Sequence, residues 1–304
     1  MKIMKPLKQA KSTKAHRCYI RAKKRKVRLF FSVFIVGLLA LMLTTSCKKN
    51  NATKGLIFKE LEDGTYGVES AGLAKTEELI IIPQKYKGKK VTQILSFAFE
   101  NCDIQQVAIP NTITTIGACA FSGCQYLIDV DLPSACVIGE YAFSECSQLL
   151  MVYADSADIQ KGAFTKCNSM VSFSISEGKI GEFAFLKCEK LQKVNIGEKV
   201  SEIGASAFQV CSKLEEVNLQ NGINTIRANA FAFCSALKRI EVPKSVKKID
   251  RSAFVASSVC EISYGGSKSQ WKSALDNKYL YTTATIYGEI TVHCSDGDLT
   301  EEGK

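Results

Sequence analysis

IPNTITTIGACAFSGCQYLIDVDLP, residues 109–133, holds one complete copy of a pattern that runs along most of this chain. Its centre, AFSGC (120–124), returns as AFENC, AFSEC, AFTKC, AFLKC, AFQVC and AFAFC. The phenylalanines are Phe99, Phe121, Phe143, Phe164, Phe185, Phe208, Phe231 and Phe254, at intervals of 22, 22, 21, 21, 23, 23 and 23 residues. An alanine precedes each one, and an isoleucine lies five residues before it, from Ile94 to Ile249. A cysteine follows three residues later in every copy but the last, where Ser257 stands. Eight copies that keep four positions in step form a repeat array.

Each copy reads as two pieces. Runs such as LIDVDLP, LEEVNLQ and LKRIEVP end with apolar residues two apart, which marks a short strand with one buried face. Pro110, Pro133, Gly197 or Pro243 then follows and stops the strand. The segment I-G-x-x-A-F-x-x-C-x-x-L spaces its apolar residues three or four apart, which predicts a tight helical or 3₁₀ turn. One copy cannot close its own core, so neighbours must stack into a solenoid whose stability is a near-neighbour sum. Eight rungs at the spacing of paired strands give an array about 40 Å long.

Stacking explains why a reactive residue recurs. Registered copies place Cys102, Cys124, Cys146, Cys167, Cys188, Cys211 and Cys234 in one column. Parallel side chains about 5 Å apart are too far apart for a relaxed disulfide, whose Cβ atoms lie about 3.8 Å apart. Zinc needs four converging ligands, and no CxxC pair supplies them. The column is therefore read as small, buried, weakly hydrogen-bonding packing, a role that Ser257 also fits. Cys119, Cys136, Cys260 and Cys294 lie off the column and show no persuasive pairing.

The formal charge of +10 belongs to the beginning of the chain. Of 40 Lys and Arg residues, 12 lie in residues 1–46, which hold no acid; the other 28 face 30 acidic residues. A near-neutral body gives no footprint for nucleic acid. After the basic run comes LFFSVFIVGLLALML (29–43) and then TTSC, ending at Cys47. This apolar stretch is short for a membrane span and suits a signal-peptide core. Ser46 before Cys47 resembles a bacterial lipoprotein signal, with Cys47 as the lipidated residue, although Leu43 stands four residues before the cysteine where the usual pattern has three. The alternative is a retained N-terminal anchor helix; either reading exports the body and tethers it to a membrane.

Residues 109–133 resemble the BspA-type leucine-rich repeat of bacterial surface proteins, whose consensus runs roughly I-P-x-x-V-x-x-I-G-x-x-A-F-x-x-C-x-x-L-x-x-V-x-I-P. The resemblance covers about residues 91–264. EDGTYGVESAG with IIIPQKYKGKKVTQI (62–94) is similar to that family's opening module, and ISYGGSKSQWKSAL with ITVHCSDG (262–297) to its closing segment. The expected fold is thus an α/β-type, leucine-rich repeat-like solenoid with one short strand plus a helical or 3₁₀ turn per rung and β-rich caps. The expected organisation is a signal peptide (1–46), Cys47 with a polar tether (47–55), an N-terminal cap (56–90), eight repeats (91–264) and a closing segment with tail (265–304). Leu95, Gln160, Arg227 and Asp250 depart from the glycine that follows the anchor isoleucine, and the third and fourth copies run short. The resemblance implies lipid-anchored or secreted proteins at an outer membrane or cell surface, some of which bind matrix proteins or other cells.

Strand residues flanking the central apolar one should face outward. One such column contains Asp129, Met151, Lys193, Glu216 and Arg239; the next contains Asp131 and Tyr153. These seven are the candidate contacts for an extracellular or host protein. Lys193, Glu216, Arg239 and Glu261 alternate in sign and can simply pair between rungs. Met151 and Tyr153 form the apolar spot of the two columns. His293 is the body's one histidine, which leaves catalysis without a recurring Ser-His or Cys-His arrangement. Neither enzymatic activity, cofactor nor metal is expected. Besides adhesion, two other readings fit: a scaffold without a dedicated ligand, and a glycan-binding accessory protein using Trp271 as a platform.

Overall fold

The computed structural model describes residues 52–275 and 289–302. Its repeats coil into a β-solenoid of about nine turns. The first strands of successive rungs pair in parallel and in strict register. Gln106 lies beside Asp129, Asp129 beside Met151, Met151 beside Ser172, Ser172 beside Lys193, and Lys193 beside Glu216. A second set of strands carries the anchor isoleucines, which align as one column from Ile94 through Ile116, Ile138, Ile159, Ile180, Ile203 and Ile226 to Ile249. All eight are buried.

Proline after the first strand separates it from the second, and Gln220 does so without proline by accepting from Ile223 to close a turn. Pro110 and Pro243 interrupt the ladder, since proline has no N–H to give, and their carbonyls accept from Ile113 and Val246 to close a turn. Asp155, Ser176 and Gly197 take the equivalent place in three middle rungs, which run on as Met151–Ile159, Ser172–Ile180 and Lys193–Ile203. The strands of the two short copies have nine residues each, and Lys193–Ile203, with eleven, takes up its extra length in register shifts against its neighbour.

The third side of each rung differs from the expected helical or 3₁₀ turn. Among the described residues, helix is confined to one 3₁₀ turn, Gly72–Ala74, and one α-helix, Lys268–Ala274. The Ala-Phe-x-x-Cys segment is a flat ribbon of successive turns. The N–H groups of Ala98, Glu100 and Cys102 bond three residues back, to Leu95, Phe97 and Phe99. Between them, Phe97, Phe99 and Asn101 donate to Ala118, Ala120 and Ser122 of the next rung. Alternation requires left-handed residues two before and two after the phenylalanine: Phe97 and Asn101, Tyr141 and Glu145, Phe183 and Lys187 all have φ of 54–63°. A helix would turn every N–H along its own axis; here half of them hold the stack together. The three- and four-residue spacing reflects consecutive turns rather than helical periodicity.

Inside, the eight phenylalanines form one column. Ring centroids are 4.9–5.6 Å apart and interplanar angles are 1–7° from Phe99 to Phe254. Phe173 adds a tilted contact with Phe185 at 4.2 Å. The N-terminal end is covered by Ile57–Glu60, antiparallel to Tyr66–Ser70, which pairs with Lys89–Ile94. At the other end Glu289–Cys294 joins Glu261–Tyr264, and Gly297–Glu302 closes the sheet. The helix Lys268–Ala274 starts with a capping box between Ser267 and Gln270 and lays Trp271, fully buried, near Tyr264 at 5.2 Å.

Because Phe164 is fully buried between two identical neighbours, Phe164→Ala should lower unfolding free energy by about 3–5 kcal/mol. Urea titration followed by far-UV circular dichroism measures this, and a loss below about 1 kcal/mol would mean that the column is not the core.

Candidate functional site

The outward columns of the first strands form the candidate surface. In the first column Lys193 Nζ lies 2.5 Å from Glu216 and Arg239 Nε lies 2.7 Å from Glu261. The Lys193 ammonium, followed by the Asn218 amide, holds the Glu216 carboxyl below its ordinary range. Such half-exposed pairs contribute little to stability and mainly fix side-chain direction. Asp129 is half-buried and Asp131 exposed, one residue apart on the same strand. Met151 is half-buried between Asp129 and Ser172, whereas Tyr153 is 41% exposed beside Ser174. The Tyr153 phenol is raised above its ordinary value, first by its hydrogen bond to the Asp155 carboxylate and then by burial.

Past Tyr153, which hydrogen-bonds Ser176, the second column becomes a polar groove of about 360 Å³, lined by Ser174, Ser176, Asn195, Asn218, Gln220 and Glu241 among others. Its floor is a side-chain ladder. Asn195 Nδ2 donates to Ser174 Oγ at 3.0 Å, and Asn218 Nδ2 donates to Asn195 Oδ1 at 2.8 Å and to Glu216 Oε1 at 2.9 Å. Register makes this possible, since Ser174, Asn195 and Asn218 are direct cross-strand partners. The structure thus brings Tyr153, Lys193 and Glu216 to one stretch of face, and leaves Asp129 and Asp131 two rungs before the ladder. The alternation that turns Tyr153 outward also turns Ser174, Asn195 and Asn218 outward, without singling them out. The available signal was three neutral hydrogen-bonding side chains in succession, where the other rungs carry Ala108, Asp131, Tyr153, Glu241 and Ser263.

The BspA-type leucine-rich repeat region matches this chain over residues 80–178 and 157–277, in six copies. The chain belongs to this family. None of the curated proteins matches it. Among solved structures it resembles the leucine-rich repeat protein TpLRR of T. pallidum, with a TM-score of 0.54 and 23% identity over 62% of this chain and 91% of that one. A leucine-rich repeat protein from Bacteroides ovatus aligns with a TM-score of 0.49 and 20% identity over 77% of this chain and 67% of that one.

In this BspA-type chain the column cysteines are free and buried, and no described cysteine forms a disulfide. Each thiol from the second rung on donates to the carbonyl of the phenylalanine one rung before. The distances are 3.0 Å for Cys124 to Phe99, 3.1 Å for Cys146, Cys167 and Cys188, and 3.3 Å for Cys211 and Cys234. Ser257 instead donates to the carbonyl of Phe254 in its own rung, at 2.6 Å. Burial pushes the Cys124 and Cys234 thiols up to about 12, and those of Cys146, Cys167 and Cys211 well above their ordinary value. Among the described residues no three His, Cys, Asp or Glu side chains gather as a metal site. Trp271 is fully buried in the closing helix and offers no platform for sugar. His293 contacts Asp298 at 2.9 Å and Glu261 at 3.7 Å within the closing sheet. Cys47 and the apolar stretch 29–43 lie outside the described residues, among which no helix is long and apolar enough to cross a membrane.

These thiols give the fold an alkaline weakness. The unfolded chain ionises these five thiols near their ordinary value of 9.0, while the folded chain keeps them protonated. Stability is therefore complete below that pH and is lost as pH rises through it, by about 1.4 kcal/mol per pH unit for each such thiol. Denaturant titrations from about pH 8 to pH 11 should show this slope, and Cys124→Ser with Cys234→Ser should flatten it. A slope unchanged by those substitutions would mean that other groups carry it. In the folded chain at neutral pH, maleimide should label exposed Cys260 promptly and the column cysteines only after unfolding.

Proposed function

We propose that this chain is an exported lipoprotein, anchored through Cys47 at an outer membrane or cell surface, that binds an extracellular or host protein through its sheet face. The groove running from Ser174 along the amide ladder to Glu241, with Tyr153 beside it, carries the proposal. Its side chains are held in place by one another before any ligand arrives, so little ordering is left for binding. A tyrosine at its edge supplies the kind of anchor that dominates protein contacts. The paired charges of the first column frame it with polar groups whose directions are fixed. Stacked rungs extend that face toward the area, about 800 Å² per partner, that a stable protein interface needs. The leader pattern and family membership support export, and the near-neutral body supports a protein ligand over a polyanion.

Binding of matrix proteins to the purified chain tests the ligand. Tyr153→Asp combined with Asn218→Lys should weaken a detected interaction at least about tenfold, because it places charge at both ends of the ladder. An affinity unmoved by these changes would remove the groove from the proposal. Cys47→Ser should abolish incorporation of labelled palmitate in cells; persisting label would overturn the anchor.

A further inference from the structure

The turn ribbon carries a further column, two residues before each stacked phenylalanine, buried at Gly162 and Ser206 and exposed or half-exposed where it is aromatic. Phe97, Tyr141 and Phe183 occupy it in alternate rungs, with Cys119 and Gly162 between them and Ser206 beyond. All three aromatics are held left-handed, at φ of 63°, 55° and 56°, a conformation that bulky side chains avoid. Cys119 and Ser206 show that small residues take the same position, at φ of 52° and 53°. Burial does not explain the choice of aromatics, since Phe97 is 57% exposed and the other two are only half-buried. Gly162 makes room for one of them: a Cβ there would lie 2.3 Å from Tyr141 Cε1.

The column is in register along the stack. Phe97 donates to Ala118, Cys119 to Glu140, Tyr141 to Lys161 and Gly162 to Glu182, each at 2.8–3.0 Å. Neighbouring rungs are separated by the ordinary strand distance, so the aromatic positions recur every about 10 Å. In the three rungs from Tyr141 to Phe183 the residues just before the column, Glu140, Lys161 and Glu182, alternate in charge. Lys161 Nζ lies over the Phe183 ring, 5.5 Å from its centroid, and 3.7 Å from Glu182, so a ligand stacking on that face must move the ammonium aside; Glu140 is exposed beside Tyr141.

We propose that this column binds an uncharged β-1,4-linked glycan laid along the stack. Aromatic faces are platforms for the apolar faces of sugar rings, as they are for other flat ligands. In a β-1,4 chain each sugar is flipped relative to the one before, so the same face returns every second residue. That two-sugar repeat matches two rungs of this solenoid. Glu140, Lys161 and Glu182 border the platforms with acceptors and a donor for hydroxyl groups. Their mixed sign gives a polyanionic glycan no net attraction. A hexasaccharide spans Phe97, Tyr141 and Phe183 together; a disaccharide reaches one platform.

Isothermal titration of the purified full chain with cellohexaose, chitohexaose and cellobiose tests this. The expected result is that at least one hexasaccharide binds more than about tenfold tighter than its disaccharide, with no binding of laminarin, a β-1,3 glucan, or of heparin. Replacing Phe97, Tyr141 or Phe183 singly by serine, the residue at position 206, should weaken the hexasaccharide about five- to tenfold. Tyr153→Asp, on the sheet face, should leave it unchanged. Absence of binding to every β-1,4 hexasaccharide overturns the proposal, as does equal affinity for laminarin or heparin. The length and linkage comparisons use the unaltered chain, so they decide the matter even if a serine variant fails to fold.

Discussion

Everything in this solenoid depends on one spacing, the distance at which successive rungs hydrogen-bond along all three sides. Two sides achieve it with parallel strands. The third does so with alternating turns, in which half of the N–H groups close the turn and half reach the next rung. That distance brings the phenylalanine rings to 4.9–5.6 Å, and it brings each thiol within reach of the preceding phenylalanine carbonyl. A rung with any other height would break the backbone ladder, the ring column and the sulfur column together.

The cysteine is thereby explained by geometry. Its site admits a small side chain, offers one carbonyl acceptor and excludes water. Serine meets the first two demands in the last rung but bonds within its own turn. Reactivity is suppressed as a by-product, because an ionised sulfur there would have neither solvent nor a counter-charge.

The repeat length, the strand positions, the buried column and the outward columns were all legible in the sequence, because each rests on side-chain alternation repeated eight times. The ribbon was not. Alanine, phenylalanine, cysteine and leucine at spacings of one and three mimic a helical face, and the left-handed residues that exclude a helix are as varied as Phe97, Tyr141, Glu145 and Lys187. Continuous strands in the middle rungs were half legible, through the absence of proline at Asp155, Ser176 and Gly197. The ladder of Ser174, Asn195 and Asn218 needed register to be seen, since nothing in any one rung marks those residues. Trp271 shows the reverse case: a lone aromatic reads equally well as a platform or a plug, and only its burial decides.

The sulfur column also has a direction. Every thiol from Cys124 to Cys234 donates back toward the N-terminal neighbour, whereas Cys102 and Ser257 at the two ends of the column bond within their own turns. A unit duplicated or deleted between the second and seventh rungs would find the same acceptor waiting and leave the same donor for its successor. Copy number can therefore drift within the array while its two ends stay fixed. Each added coil would lengthen the exposed faces by one step without asking for any new kind of contact.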